Sequence, residues 1–243
     1  MAITIGAFLN AIGILFGAIV GMVRGKSLSL PLQIFFRNGI GAFTIFFGVR
    51  LIYLSINGAF LSCLKQAFCA FLAVVLGFWV GKLFRLQKIS NRLGRLGANA
   101  ILAAQKNAHT AADGFNACAV LFCAEPLGMI GAVTDGVSNY FYLLAVKAVM
   151  DAMAMTDFVR VFRWPSALSA IPVFLFLSAI SMAVQFYIRP ALTQPQLDAI
   201  NAAAGLMACI VTIVIFGAGK IKVELVNYMP ALVVAPLLAK WIH

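Results

Sequence analysis

The 243-residue chain is 63% hydrophobic and 10% charged, which excludes an ordinary water-soluble domain, where charged residues make up about a quarter of the chain. A formal net charge of +11 would point to nucleic acid in a soluble protein. Here the Lys and Arg residues fall between apolar runs of bilayer length, so they read as orientation signals and contacts to anionic lipid, with no nucleic-acid partner.

The composition predicts an all-α, polytopic integral membrane protein of seven or eight spans. A single transmembrane domain fills residues 1–243: spans 1–3 within 1–85, an amphipathic interfacial segment at 86–108, and spans 4–8 within 113–243. The first apolar stretch lacks a basic leader and is followed by further spans, so it reads as a span and not as a cleaved signal. Cys63, Cys69, Cys118, Cys123 and Cys209 form no C-x-x-C pair and sit mostly in apolar runs. That suits small buried hydrophobes better than disulfides or a zinc site.

Span 1, about Thr4 to Val23, carries Gly13, Gly17, Gly21 and Gly25 at intervals of four, and Gly6 and Asn10 continue that face. Such a stripe lets another helix approach closely, and Asn10 on it is a candidate ligand. Span 2, about Asn38 to Ile56, holds Arg50 near one end, where a long side chain can snorkel. Span 3, about Gln66 to Phe84, echoes span 1 at an offset of sixty residues in Ala7/Ala67, Phe8/Phe68, Gly17/Gly77 and Gly21/Gly81. Spans 2 and 7 share a weaker reversed pattern about Gly41 and Gly205, a hint of the inverted repeats found in many transporters.

In the amphipathic segment, Leu86, Ile89, Leu93, Leu96 and Ala100 recur at helical spacing beside Arg85, Lys88, Arg92 and Arg95. The expectation is a helix lying in the interface, its basic row against anionic lipid; a solvated hairpin is the competing reading. Span 4, about Phe115 to Val133, is interrupted by Glu125-Pro126. Proline removes a donor and clashes with the preceding turn, so a helix break is expected there, with Gly128, Gly131 and later Pro230 assigned to breaks as well. Asp135-Gly136 reads as a turn at the outer end, with Asp135 kept as a candidate ligand.

Span 5, about Asn139 to Thr156, places Lys147 near mid-membrane and Asp151 one turn later on the same face. Span 6 opens at Trp164-Pro165 and carries Ser166, Ser169, Ser178 and Ser181. Span 7 runs from about Ala199 to Phe216. The last segment, about Leu225 to Trp241, is short and contains Pro230 and Pro236, so a tilted span, a broken span and a re-entrant hairpin all fit.

An amino terminus outside the cell puts thirteen basic residues on the cytoplasmic side, among them Arg24, Lys26, Arg37, Lys82, Lys106, Arg160, Lys220 and Lys222, and leaves four towards the other face. That positive-inside bias favours eight crossings of the inner membrane. No H-E-x-x-H, G-x-S-x-G or P-loop occurs, and no aspartate stands in a G-x-G-D context. Neither an enzyme nor a cofactor or metal site is expected. What remains is a broken helix beside a helix with intramembrane charges, a combination found at transport sites. A carrier of a small solute or ion is therefore expected, with Glu125, Asp135, Lys147, Asp151, Asn10 and Asn227 as candidate binding residues. Glu125 or Asp151 would take a cation or proton, and Lys147 or the new helix N-terminus would face an anionic group. An ion channel and a structural or regulatory membrane protein are the alternatives, and the small-residue faces would suit a homo-oligomer.

Gly114-Phe115, Leu121-Phe122-Cys123, Gly131, Asp135-Gly136, Lys147-x-x-x-Asp151, Asn227-x-x-Pro230-Ala231 and Ala235-Pro236-Leu237-Leu238 follow one another in that order. With the glycine stripe of span 1 they resemble the bacterial YqgA/YdfK-like family of multi-pass membrane proteins. The resemblance covers nearly the whole chain and is most specific from Gly114 to Asp151. It implies a membrane architecture in a family of unknown function whose members are often labelled transporters, and it points by position to Gly114, Asp135, Gly136, Lys147, Asp151, Asn227 and Pro230. The chain departs from the family pattern at Glu125 and Ala152, where glycine is usual, and at Ala204-Gly205, where a glycine pair is usual.

Overall fold

Helix follows helix along the whole of the computed structural model, which describes residues 4–25, 27, 29–106, 111–217 and 223–242 and contains no strand among them. The order is α1 (Ile5–Arg24), α2 (Leu30–Ser55), α3 (Phe60–Leu83), α4 (Leu86–Lys106), α5 (Ala111–Cys123), α6 (Pro126–Ser138), α7 (Tyr142–Phe162), α8 (Ala170–Ala183), α9 (Gln194–Phe216) and α10 (Ala231–Ile242). A lipid bilayer offers no water to unpaired backbone groups, so a spanning chain must satisfy them within each helix. Buried hydroxyls do the same: Thr44 Oγ1 donates to Ile40 O at 2.7 Å and Ser55 Oγ to Leu51 O at 2.7 Å, each one turn back.

Among the described residues, five helical stretches are long and apolar enough to cross a membrane: α1, α2, α3, the run Trp164–Ala191 that contains α8, and α9. The α5/α6 pair makes a sixth if its two halves are one bent span. The protein is thus an all-α polytopic membrane protein. The length and apolarity of α7 are offset by Lys147, Asp151, Asp157 and Arg160, and α10 is only 12 residues long.

Glycine decides which helices touch. A Cβ added at Gly13 would meet the Ala148 carbonyl oxygen at 2.5 Å, and added atoms at Gly17 and Gly21 would run into the Ala152 and Thr156 carbonyls. Both residue series ascend together, so α1 and α7 lie parallel with their backbones in contact, as a small-residue stripe permits. The matching stripe of α3 is used in the same way, with Gly77 against Ala231 and Gly81 against Asn227, but there the partner runs antiparallel. Gly48 and Gly205 face each other across the antiparallel pair α2 and α9. The reversed pattern in the sequence therefore marks two helices that pack on each other.

Two larger apolar cores and one smaller cluster result, the smaller made by Val137, Val184, Leu197 and Ile200. Ile14, Cys118, Leu144, Met155, Val173 and Leu177 fill the space among α1, α5, α7 and α8. Leu51, Ala73, Leu143, Met207 and Ala235 fill that among α2, α3, α7, α9 and α10. Outward, Phe8, Phe16, Phe43, Phe46, Phe68 and Phe71 are all more than half exposed, an apolar girdle that a soluble monomer would not carry.

Several expectations are refined. Asp135 and Gly136 lie inside α6 and form no turn; the chain turns at Asn139, whose left-handed φ of 56° ends the helix. Gly128 and Gly131 likewise sit within α6 beyond the break, where they make room for Lys147 and Leu144. Trp164-Pro165 opens a 3-10 turn, Trp164–Ser169, before α8 begins. Residues 86–106 form one helix, so the hairpin reading falls away. The guanidinium of Arg50 lies 4.8 Å from the centre of the Tyr142 ring, a cation–π contact. Lys26, Lys220, Lys222, His109 and His243 lie outside the described residues.

Candidate functional site

The break is written in two adjacent residues. Proline cannot donate a backbone hydrogen bond, and its ring pushes the residue before it out of helical geometry. Glu125 accordingly adopts an extended conformation (φ −73°, ψ 125°), and Pro126 opens α6 at the position where a missing N–H costs nothing. The axes of the two halves meet at 59°. The Glu125 side chain is thereby carried off the helix surface and towards α7.

On α7, Lys147 and Asp151 stand one turn apart on the buried face. Lys147 is the largest fully buried side chain among the described residues, with no exposed surface. Its Nζ donates to Asp151 Oδ2 at 2.6 Å and to Glu125 Oε2 at 2.9 Å. Asn10, from the glycine face of α1, donates through Nδ2 to the same Asp151 oxygen at 2.8 Å, while its Oδ1 has no partner. The Phe122 ring closes one side, its centre 5.8 Å from Nζ. On the other, a Cβ at Gly128 would lie 2.6 Å from Lys147 Cε, so only glycine leaves room for the lysine stem.

The cluster holds one more acidic side chain than basic ones, and burial penalises each ion by several kcal/mol unless it is paired. Asp151 is almost wholly enclosed, with 2% of its side chain exposed, whereas 20% of the Glu125 side chain is open. Glu125 is therefore the more exposed of the two carboxylates. A Lys with two carboxylates and an amide can exchange partners without any member being stranded: if one carboxylate takes a proton or a cation, the lysine keeps the other. Among the described residues, no three His, Cys, Asp and Glu side chains are placed to hold a metal ion.

Of the sequence candidates, Asn10, Glu125, Lys147 and Asp151 are brought together, with Pro126 and Gly128 shaping the site. Asp135 stands apart on α6, with its carboxylate at the start of α1. Asn227 and Pro230 belong to another part of the molecule. Asn227 Oδ1 accepts the Gln87 N–H at 3.0 Å, its Nδ2 donates to Glu224 at 2.6 Å, and Pro230 follows in the turn before α10. Asn227 thus caps α4 and anchors it to the C-terminal segment. Phe122 enters the sequence reading only within the Leu121-Phe122-Cys123 stretch of the resemblance and without a role, because an aromatic in an apolar run has no periodic signature of its own; its place in the turn before Glu125-Pro126 is the further signal available.

Residues 5–240 match the model of a family described as "Protein of unknown function (DUF554)". The chain belongs to this family. It is 25% identical over 240 residues to "Uncharacterized protein YqgA" of Escherichia coli (strain K12), covering 98% of this chain and 97% of that one. It is 20% identical over 238 residues to "Uncharacterized membrane protein YdfK" of Bacillus subtilis (strain 168), covering 98% and 96%. No solved structure matches it. The membrane designation of the Bacillus relative agrees with the apolar helices found here.

Proposed function

We propose that this DUF554 protein is a carrier for a small solute or ion, with Glu125, Lys147, Asp151 and Asn10 as its binding site and no enzymatic step. The observation that carries this reading is the fully enclosed Lys147 held by two carboxylates, one of them at a helix break. Ionisable groups in hydrocarbon are costly and concentrate at transport paths, and broken helices supply backbone groups to such sites. The one carboxyl group in excess over the lysine favours a proton or cation as one of the species bound.

In this reading the chain makes eight passes of the inner membrane, with the bent α5/α6 pair, α7 and the C-terminal segment from Leu225 to Ile242 each counted as one. The parallel run of α1 with α7 and the antiparallel runs of α2 with α9 and α3 with α10 are those of passes 1 and 5, 2 and 7, and 3 and 8. The amino terminus lies outside, so Arg24, Lys82 and Arg160, each in the last turn of its helix, face the cytoplasm. The exposed row Arg85, Lys88, Arg92 and Arg95 then meets anionic lipid of the inner leaflet.

The test is thermal unfolding of purified protein across a panel of ions, organic acids, amino acids and amines, followed by uptake into proteoliposomes. A ligand that binds the folded state raises the melting temperature by mass action. The expected result is a concentration-dependent rise with one chemical class, lost together with uptake in Asp151→Asn. Uptake unchanged in that folded variant would sink the carrier reading. The close fit of Lys147 against Gly128 favours one other role, a fixed electrostatic clamp. A panel with no shift and no uptake would select it.

A further inference from the structure

α1 begins inside the protein: Thr4, Gly6 and Ala7 are all buried. The first N–H groups of a helix have no acceptor within it. One of them, the Gly6 N–H, faces the Asp135 carboxylate on α6. The Oδ2 atom of Asp135 has no partner, although the residue is only 7% exposed. A Cβ added at Gly6 would stand 3.2 Å from that oxygen, so the carboxylate rests against bare helix backbone.

No cation balances this carboxylate among the described residues, whose ion pairs join Lys147 to Glu125 and Asp151 and Arg160 to Asp157. The titratable groups on the surrounding helices are few. α7 brings Tyr142, whose ring stacks on Phe141, and Lys147 and Asp151, engaged as above, with Asp157 and Arg160 farther along, and the helical turn after α8 brings Tyr187, which is exposed. α9 brings Cys209 and Asp198, which accepts from Gln194 at 2.9 Å. Glu125 and Cys123 flank the break, and the Tyr140 hydroxyl donates to Phe47 O at 2.8 Å. α1 offers none before Arg24, and α8 has none. What α8 supplies is hydroxyls: Ser178 Oγ lies 3.0 Å from Thr4 Oγ1, and Ser181 Oγ donates to Ala132 O at 2.9 Å. Of the Thr4–Ser178 pair only one proton lies between the oxygens, and the other is free to point elsewhere.

We propose that Asp135 is a second ion site, one that takes up and releases a proton, and that α1 couples it to the Lys147 cluster. Asn10, which holds Asp151, follows Gly6 by one helical turn, about 6 Å along the axis. A change of charge at Asp135 acts on the Gly6 N–H and so on the seating of α1, the helix that carries Asn10. A proton is the ion that fits, because among the described residues no group of three His, Cys, Asp and Glu side chains stands at this carboxylate to hold a metal ion. Cations such as Mg²⁺ and Ca²⁺ demand a shell of oxygens. The inference rests on the carrier reading in one respect: it makes the proton the coupling ion.

Infrared difference spectroscopy on the full chain in lipid tests it without any substrate. Stepping the pH from about 9 to about 4 brackets the protonation of carboxyl groups and should raise a protonated-carboxyl C=O band that is missing in Asp135→Asn. Asparagine keeps an oxygen for the Gly6 N–H, so the variant should fold; Asp135→Glu should restore the band at a shifted position. Identical spectra for Asp135→Asn and the parent would overturn the proposal. So would a band removed by Na⁺ at constant pH, which would make this a metal-cation site. In proteoliposomes, uptake by the parent should respond to an imposed pH gradient and uptake by Asp135→Asn should not. A titrating Asp135 in a protein that moves no solute would refute the carrier reading alone. Uptake lost in Asp151→Asn, with no Asp135 band in the parent, would refute this inference alone.

Discussion

Removing the cation from the Lys147 cluster should do more damage than removing either anion. In Lys147→Met the side chain keeps its volume beside Gly128, but Asp151 and Glu125 lose their common partner. Breaking a buried pair from one side costs about 3 to 5 kcal/mol, since the group left behind is stranded. Glu125, with 20% of its side chain exposed, has room to reorient, whereas Asp151 at 2% has not. Asp151→Asn leaves Lys147 with Glu125 at 2.9 Å, and Glu125→Gln leaves it with Asp151 at 2.6 Å, so each should cost less, with Glu125→Gln the mildest. For a chain of this size each kcal/mol lowers the melting temperature by about 2 to 4 °C, so Lys147→Met should melt about 6 to 20 °C below the parent. The triple variant Glu125→Gln/Lys147→Met/Asp151→Asn, which carries no buried charge in the cluster, should recover most of that loss. Tryptophan fluorescence in detergent would follow all four variants. A Lys147→Met protein as stable as the parent, or a triple variant worse than the single one, would refute the reasoning.

Three further outcomes can be checked on the same preparation. Gly17→Ala drives a methyl into the Ala152 carbonyl and should cost about 1 to 3 kcal/mol, whereas Gly39→Ala, with nothing within 4 Å of the new carbon, should be neutral or gain about 0.5 to 1 kcal/mol. Asn227→Ala removes the acceptor for Gln87 N–H and should cost about 1 kcal/mol, as loss of a helix cap does; faster proteolysis within α4, with ligand binding intact, would report it. Arg92→Gln/Arg95→Gln should weaken retention of anionic lipid by about 1 kcal/mol per charge, read by native mass spectrometry, while zwitterionic lipid is unaffected.

The parts of this fold that were legible beforehand are those encoded locally. Pro126 announces its break because a ring at one position acts on the residue beside it, and Lys147 and Asp151 announce their pairing because four residues make one helical turn. Asn10 was legible more weakly, as a polar residue on a face otherwise made of glycine. The rest depends on contacts between distant segments, which leave no period in the chain. Nothing in the spelling of Asp135-Gly136 separates a turn from a helix interior. The neighbours of that helix interior are distant in the chain: the start of α1, 129 residues earlier, against Asp135, and Ser181 and Val184 against Gly136. Asn227 looked like a companion of Lys147 because a polar group near a proline resembles a helix break in either place, yet its partner is the N–H of Gln87.

The backbone seam between α1 and α7 bears on how the protein is made. α7 carries four charged residues, two of them at its middle, and each mid-helix charge opposes insertion by about 2.5 to 3.5 kcal/mol. On the eight-pass reading α7 must cross the bilayer, and alone it is a poor substrate for the insertion machinery. α1, synthesised far earlier, presents a strip of bare backbone and an amide that fits Asp151, while Glu125 arrives just before α7 does. The glycine stripe is then a berth kept open for a late helix. Without its first 25 residues, the chain should leave α7 stranded on one side of the bilayer, and reporters placed at Ser138 and Arg163 would detect the failed crossing.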